Sequence, residues 1–236
     1  MTAGEPLTRR ALLARLLAAG TAAAIAPATL RAMARDVAAD GRPLGVQLYT
    51  LRTLLKDDLE GTLAALAAIG YREVEPFTWY GRDGDEWAAL LQRHGLVAPS
   101  AHVPLPRDDA EWRATLATAK AVGAQWAVIP WLPPAEYKSK EAWQRFAARL
   151  NALGARAAAE GMRVAYHNHD FEFAPVTGGG TGWDVLVASL DPAVCDLEVD
   201  LFWMVRGGLS PYTQLPKLRN VRMLHCKDIG PDPGYA

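Results

Sequence analysis

Short β-rich runs alternate with longer helical runs along this chain, and a glycine closes nearly every helical run. No other feature restricts the fold as strongly. The runs Leu44–Thr50, Arg72–Phe77, Val97–Val103, Gln125–Trp131, Arg163–His169, Cys195–Trp203 and Val221–Asp228 read as strands. Between them, Leu54–Ile69, Asp85–His94, Ala110–Val122 and Lys140–Glu160 read as helices, stopped by Gly70, Gly95, Gly123 and Gly161. In the first of these, Leu59, Leu63, Leu66 and Ile69 recur at helical spacing. A Gly-rich loop at Thr177–Gly182 precedes a shorter helix near Trp183–Ser189. A helix after each strand carries the chain back, so the next strand pairs in parallel. The turn after the first strand lacks Gly-x-Gly-x-x-Gly, which argues against a dinucleotide-binding sheet. Repeated βα units without that turn favour a (β/α) barrel, which takes eight strands and about 250 residues. The Pro/Gly-rich run Ile229–Ala236 shows no eighth strand. The expected fold is therefore α/β, a (β/α)8-type barrel short of its eighth strand and last helices.

The first 34 residues stand apart from this pattern. Thr8-Arg9-Arg10-Ala11-Leu12-Leu13 is a twin-arginine pattern, followed by an apolar run from Leu16 to Leu30 and an A-x-A site at Ala32-Met33-Ala34. Those three parts, in that order, predict an export signal over 1–34 and a barrel domain over 35–236. The apolar run is shorter than the roughly 20 residues that span a bilayer, so no stable membrane insertion is expected after the signal is removed. Removal lowers the basic count from 25 to 21 and the acidic count from 26 to 25, shifting the charge from -1 to -4. An acidic mature chain lacks the basic surface that nucleic acid requires. Two cysteines are too few for a disulfide scaffold or a four-thiolate zinc site. Cys195 and Cys226 fall at different heights of neighbouring strands, so both are expected as free thiols.

Side chains alternate in a strand, and the polar residues here follow that period. Glu73 and Glu75 share a face, as do Ser100 and His102, then His167 and His169. Asp196, Glu198 and Asp200 face one way and Leu197, Val199 and Leu201 the other, while His225 and Lys227 lie opposite Leu224 and Cys226. Most lie late in their strands, at the end of a barrel that carries its active site. Buried acids are costly unless paired or metal-bound, so converging carboxylates and imidazoles call for a divalent cation or a salt-bridge network. For His167, His169, Asp200 and His225 together, a site is the favoured reading.

The segments GVQLYTLR (Gly45–Arg52), HNHDFEF (His167–Phe173), LEVDLFW (Leu197–Trp203) and HCKD (His225–Asp228) resemble the sugar phosphate isomerase/epimerase family. That resemblance, from about Leu44 to Asp228, implies a xylose isomerase-like TIM barrel holding a divalent metal (Mn, Mg, Zn or Co). Asp200 matches the strand-six aspartate ligand and His225 the strand-seven histidine. His167 stands where a glutamate is usual, with Glu172 a few residues on as the alternative. The strand-eight glutamate has no counterpart in this chain. The implied chemistry is proton transfer beside the carbonyl of a ketose or keto-sugar, with the metal stabilising an enediolate. Glu172 and Glu198 are the carboxylates available to move the proton. His102, His169 and Lys227 could bind substrate oxygens, and Trp203, Trp131 and Trp79 could form an apolar wall. The implied partner is a small sugar, with homo-oligomerisation left open and a periplasmic location. Two other readings remain: a lyase on keto-sugars or keto-inositols (or on oxidised glycosides), and a truncated, non-catalytic sugar-binding protein.

Overall fold

The computed structural model describes residues 44–227. The expected signal at 1–34, and the tail in which no eighth strand was legible, lie outside the described residues. The chain divides into two compact units: residues up to 74 together with 89–97, and 75–88 together with the residues from 98 on.

In the first unit, β1 is only Gly45–Gln47. The Gln47 side chain then accepts the Tyr49 N–H at 2.8 Å and the chain tightens into a 3-10 turn, Leu48–Leu51. The single helix expected over Leu54–Ile69 is two helices, α1 (Arg52–Asp57) and α2 (Leu59–Ile69). Asp58 causes the break. Its backbone leaves the helical region (φ -148°, ψ 89°), and its carboxylate accepts the Gly61 N–H at 2.8 Å as the cap of α2. Strand β2 is Glu73–Glu75 and pairs with β1 in a two-stranded sheet, and α3 is Gly84–Arg93; Glu75 and the first half of α3 are counted with the second unit.

The second unit is built on a five-stranded parallel sheet. Its strands are β3 (Ser100–His102), β4 (Trp126–Ile129), β5 (Arg163–His167), β6 (Cys195–Asp200) and β7 (Val221–His225). They lie in chain order, each parallel to the next. That is barrel winding; a doubly wound sheet reverses its order at a switch point. Helix α4 (Asp109–Val122) is capped by Asp108 and ends on Gly123, whose φ of 96° is left-handed. Helix α5 (Lys140–Ala159) starts from a Ser139 cap and buries Trp143, Phe146, Ala147, Leu150, Leu153, Gly154 and Ala157, a stripe at helical spacing. Helix α6 (Gly182–Ser189) opens on a reciprocal capping box between Thr181 and Asp184. These helices pack on Ile129, Val164, Tyr166, Leu197 and Val199. Each such buried side chain contributes roughly 1.5–3 kcal/mol of apolar transfer energy, so the apolar face of the sheet anchors its polar one.

The strand expected over Cys195–Trp203 stops at Asp200. The Asp200 carboxylate accepts the Trp203 N–H at 3.0 Å and caps α7 (Leu201–Arg206), which places Trp203 on a helix. The short α8 (Pro211–Gln214) follows. One irregularity sets the last register. Leu197 pairs with Val221 but Glu198 with Met223, so Arg222 is an extra residue on β7 and Asp200 comes level with His225. Cys195 is buried, Cys226 is exposed, and both are free thiols, as expected. Among the described residues no helix is long and apolar enough to cross a membrane.

Candidate metal centre

Strand register brings the polar residues together. His102 ends β3 and His167 ends β5; His167 is level with Glu198 on β6, and Asp200 is level with His225 at the end of β7. Glu198 sits at the middle. Its Oε2 lies 2.8 Å from His102 Nε2, 2.9 Å from His167 Nδ1 and 3.4 Å from His225 Nε2. Glu75 approaches from another direction, its Oε1 2.8 Å from His102 Nε2 and 3.2 Å from His225 Nε2. Its other oxygen accepts the Ser100 hydroxyl. His102, His167, Glu198 and His225 each offer a ligand atom within 4.8 Å of all the others.

These spacings carry chemical information. Ligand atoms about 2.1 Å from one cation lie roughly 3.0 Å apart at right angles and 3.4 Å apart at the tetrahedral angle. The carboxylate–imidazole approaches of 2.8–3.4 Å have that size, and the four ligand atoms as a set span up to 4.8 Å. Hydrogen bonding alone leaves the cluster unsatisfied: Glu198 Oε1 is buried without a hydrogen-bond partner among the described residues. Orphaned buried carboxylate oxygens are expensive, and a cation would compensate them. The residues present therefore fit a divalent metal.

Electrostatics divides the cluster. Burial alone would push Glu75 up, but His102 and His225 hold it well below the usual carboxylate range. Burial would likewise lower His102, yet Glu75 and Glu198 raise it to about 10. His167 is driven well down by burial and by the neighbouring cationic groups. Burial, reinforced by Glu75, pushes Glu198 up to about 7. At neutral pH this is a network of one clearly anionic carboxylate, one imidazolium and one neutral imidazole, whose charges balance only locally.

The other residues singled out from sequence fall around this core. Asp200 is fully buried and faces Lys227 Nζ at 2.6 Å, while its Oδ2 stands 3.7 Å from His167 Nε2 and 3.9 Å from His225 Nδ1. His169 is lowered to about 4 by burial and by Lys227, so it is neutral at neutral pH. Its ring lies 5.2 Å from that of Trp203, and Lys227 Nζ stands 5.6 Å from the Trp203 ring. These three line the rim together. Glu172 lies elsewhere. It is fully buried and accepts hydrogen bonds from the Tyr166 hydroxyl at 2.6 Å and the His169 N–H at 3.0 Å, fixing the turn after β5. Asp196, on the face of Glu198 and Asp200, is bound by Arg163 and by the Trp126 indole N–H. Trp131 is exposed, and Trp79 accepts the Trp87 indole N–H through its carbonyl. Glu75 is the participant that sequence reasoning left out. Its signal was the alternation Glu73-Val74-Glu75, which marked a polar face without showing which acid it carried inward.

Residues 63–235 match the model of the xylose isomerase-like TIM barrel. The chain belongs to that family. Within it, the chain is similar to a sugar phosphate isomerase/epimerase from Parabacteroides distasonis, with a TM-score of 0.73 and 24% identity over 83% of this chain and 79% of that one. It is also similar to the IolI protein with a bound zinc atom, with a TM-score of 0.55 and 17% identity over 72% and 66% of the two chains. At such identities these structures share the fold. Among curated proteins, the inosose dehydratase of Clostridium beijerinckii is 32% identical over 103 residues, 41% of this chain and 32% of that enzyme. The chain thus matches about a third of the length of these relatives.

Proposed function

We propose that this protein is a metal-dependent sugar isomerase or epimerase that moves a proton beside the carbonyl of a ketose or keto-sugar through an enediolate. The observation that carries this reading is the meeting of His102, His167, Glu198 and His225 from four strands of one parallel sheet. When bound there, a divalent ion, zinc being the one found in the IolI structure, supplies Lewis acidity toward a carbonyl and its neighbouring hydroxyl.

The chain's own groups account for the remainder. Glu198 engages the imidazoles through Oε2 and leaves Oε1 without a hydrogen bond. That second oxygen is the carboxylate atom left to take a proton and return it. Lys227 offers positive charge to an oxyanion, and neutral His169 can orient a hydroxyl. The Trp203 ring gives one sugar face an apolar wall. Glu172 acts through position, by holding the backbone that carries His169.

Similarity to inosose dehydratases favours a second reading, a lyase in which the same proton abstraction is followed by loss of water. One experiment addresses both. Zinc- or manganese-loaded protein is incubated in D2O with a panel of ketoses, keto-sugars and inososes and followed by mass spectrometry and NMR. Deuterium entering beside the carbonyl with retained composition supports the isomerase. Exchange with loss of water supports the lyase. No exchange with any member of the panel rejects both.

A further inference from the structure

We propose that Phe171, backed by Trp143, is a positioning residue that sets the plane of the His169 ring and so the direction of the hydrogen bond it shares with a substrate hydroxyl. The inference deepens the reading above and rests on it for the role of His169. A working histidine is commonly held by a hydrogen bond at one ring nitrogen, which leaves the other aimed at its target. His169 lacks such a hold, because its Nδ1 is buried without a hydrogen-bond partner among the described residues. Its backbone is pinned instead. The N–H donates to both Glu172 oxygens at 3.0 Å, and the carbonyl accepts from the Asn168 side chain at 3.2 Å. Those bonds fix where the ring starts and leave its rotation open.

Aromatic faces restrict that rotation. Phe171 opens a 3-10 turn, Phe171–Phe173, two residues further on. Its ring lies 5.9 Å from the His169 ring and 16° from parallel, a stacked pair. The Trp203 ring borders the same imidazole at 5.2 Å and 44°. Phe171 stacks in turn on Trp143, at 6.3 Å and 27°. Trp143 belongs to α5 and has little room to yield. It is fully buried, with Tyr137 at 5.3 Å and Phe146 at 6.0 Å, and a Cβ added at Gly182 would overlap its indole. Stacking therefore runs from α5 through Phe171 to the imidazole, and Gly182 at the start of α6 leaves the indole its place. A hydrogen bond is directional, so a ring free to tilt would hold a substrate hydroxyl less well.

The test joins NMR to a double-mutant cycle on the full chain. Nuclear Overhauser contacts between the His169 and Trp203 ring protons report the angle between the two rings in chelator-stripped protein labelled at histidine. Phe171→Leu keeps an apolar side chain without the flat face and should weaken these contacts; Phe171→Tyr keeps the face and should preserve them. In zinc-loaded protein, deuterium exchange into the fastest-reacting member of the ketose, keto-sugar and inosose panel should fall about tenfold in Phe171→Leu and recover in Phe171→Tyr. In a His169→Gln background, Phe171→Leu should cost little more, because both losses pass through one ring. Three results would each overturn the proposal: unchanged contacts in Phe171→Leu, an unchanged exchange rate in it, or an equal loss with and without His169. If Phe171→Leu fails to fold, Phe171→Met, which fills the space without a ring, takes its place. No exchange by wild type rejects the functional reading alone, and the ring contacts then decide whether Phe171 positions His169.

Discussion

At Asp200 one side chain has two duties that chemistry can separate. One oxygen caps α7 through the Trp203 N–H, and the other faces Lys227 at the rim. Asn is as good a helix cap as Asp, whereas Ala forfeits about 1 kcal/mol. Asp200→Asn should therefore unfold near the wild-type denaturant midpoint yet lose at least tenfold in turnover. Asp200→Ala should lose both, and an Asp200→Asn variant with full activity would remove Asp200 from the site. Glu172 has a pH signature. Burial lifts it to about 7 from an ordinary 4.5, so the folded chain keeps a proton that the unfolded chain releases. That contribution is full below about 4.5, declines as pH rises and is gone above about 7, a change of roughly 3 kcal/mol. Glu172→Gln stays neutral throughout and can still accept from Tyr166. It should melt above wild type at pH 8 and close to it at pH 5, as followed by circular dichroism. The thiols give a third check. Cys195 is buried, donates to the Leu150 carbonyl and is pushed up to about 12 by burial, while Cys226 is exposed. Native alkylation should modify one thiol per chain, and alkylation in denaturant two.

Elements were more legible than their ends. Hydrophobic periodicity and closing glycines placed every strand of the five-stranded sheet and its longer helices α4, α5 and α6, because each is fixed by a face it must bury. The ends depend on single polar contacts that periodicity does not encode. Asp58 divides one apolar stripe into two helices, and Asp200 turns a strand into a helix within one residue. The same limit applied to the site. Alternation on β6 told which residues face alike, but only the partners of Asp196 separate it from Glu198. It likewise marked His102 without showing that its ring meets those of His167 and His225. Packing at element scale is tight at Gly154 on α5, where an added Cβ would stand 2.6 Å from the Val194 carbonyl oxygen. Gly154→Ala should therefore lose about 1–3 kcal/mol by overpacking despite its better helix propensity. Equilibrium urea unfolding with an unchanged slope is the measurement, and a stabilised variant would show that the two segments yield easily.

On the scale of the whole molecule, export remains a proposal carried by the twin-arginine pattern at Arg9-Arg10. Arg9→Lys/Arg10→Lys should leave the uncleaved chain in the cytoplasm, with metal-dependent thermal stability intact, as cell fractionation would show. A processed periplasmic product from that variant would discard the twin-arginine route. Metal dependence has its own global readout. Removing the ion leaves Glu198 Oε1 uncompensated, so a chelator should lower the melting temperature by several degrees and added metal restore it. The extra residue on β7 bears on which register the sheet can take. Parallel partners that are level point the same way, and Asp200 is level with His225 only because Arg222 is skipped by the ladder. Taking Arg222 into the ladder would make the pairing more regular and bring Leu224 level with Asp200, turning the imidazole outward. For this protein, the most orderly register of its sheet would be among the most damaging to its chemistry.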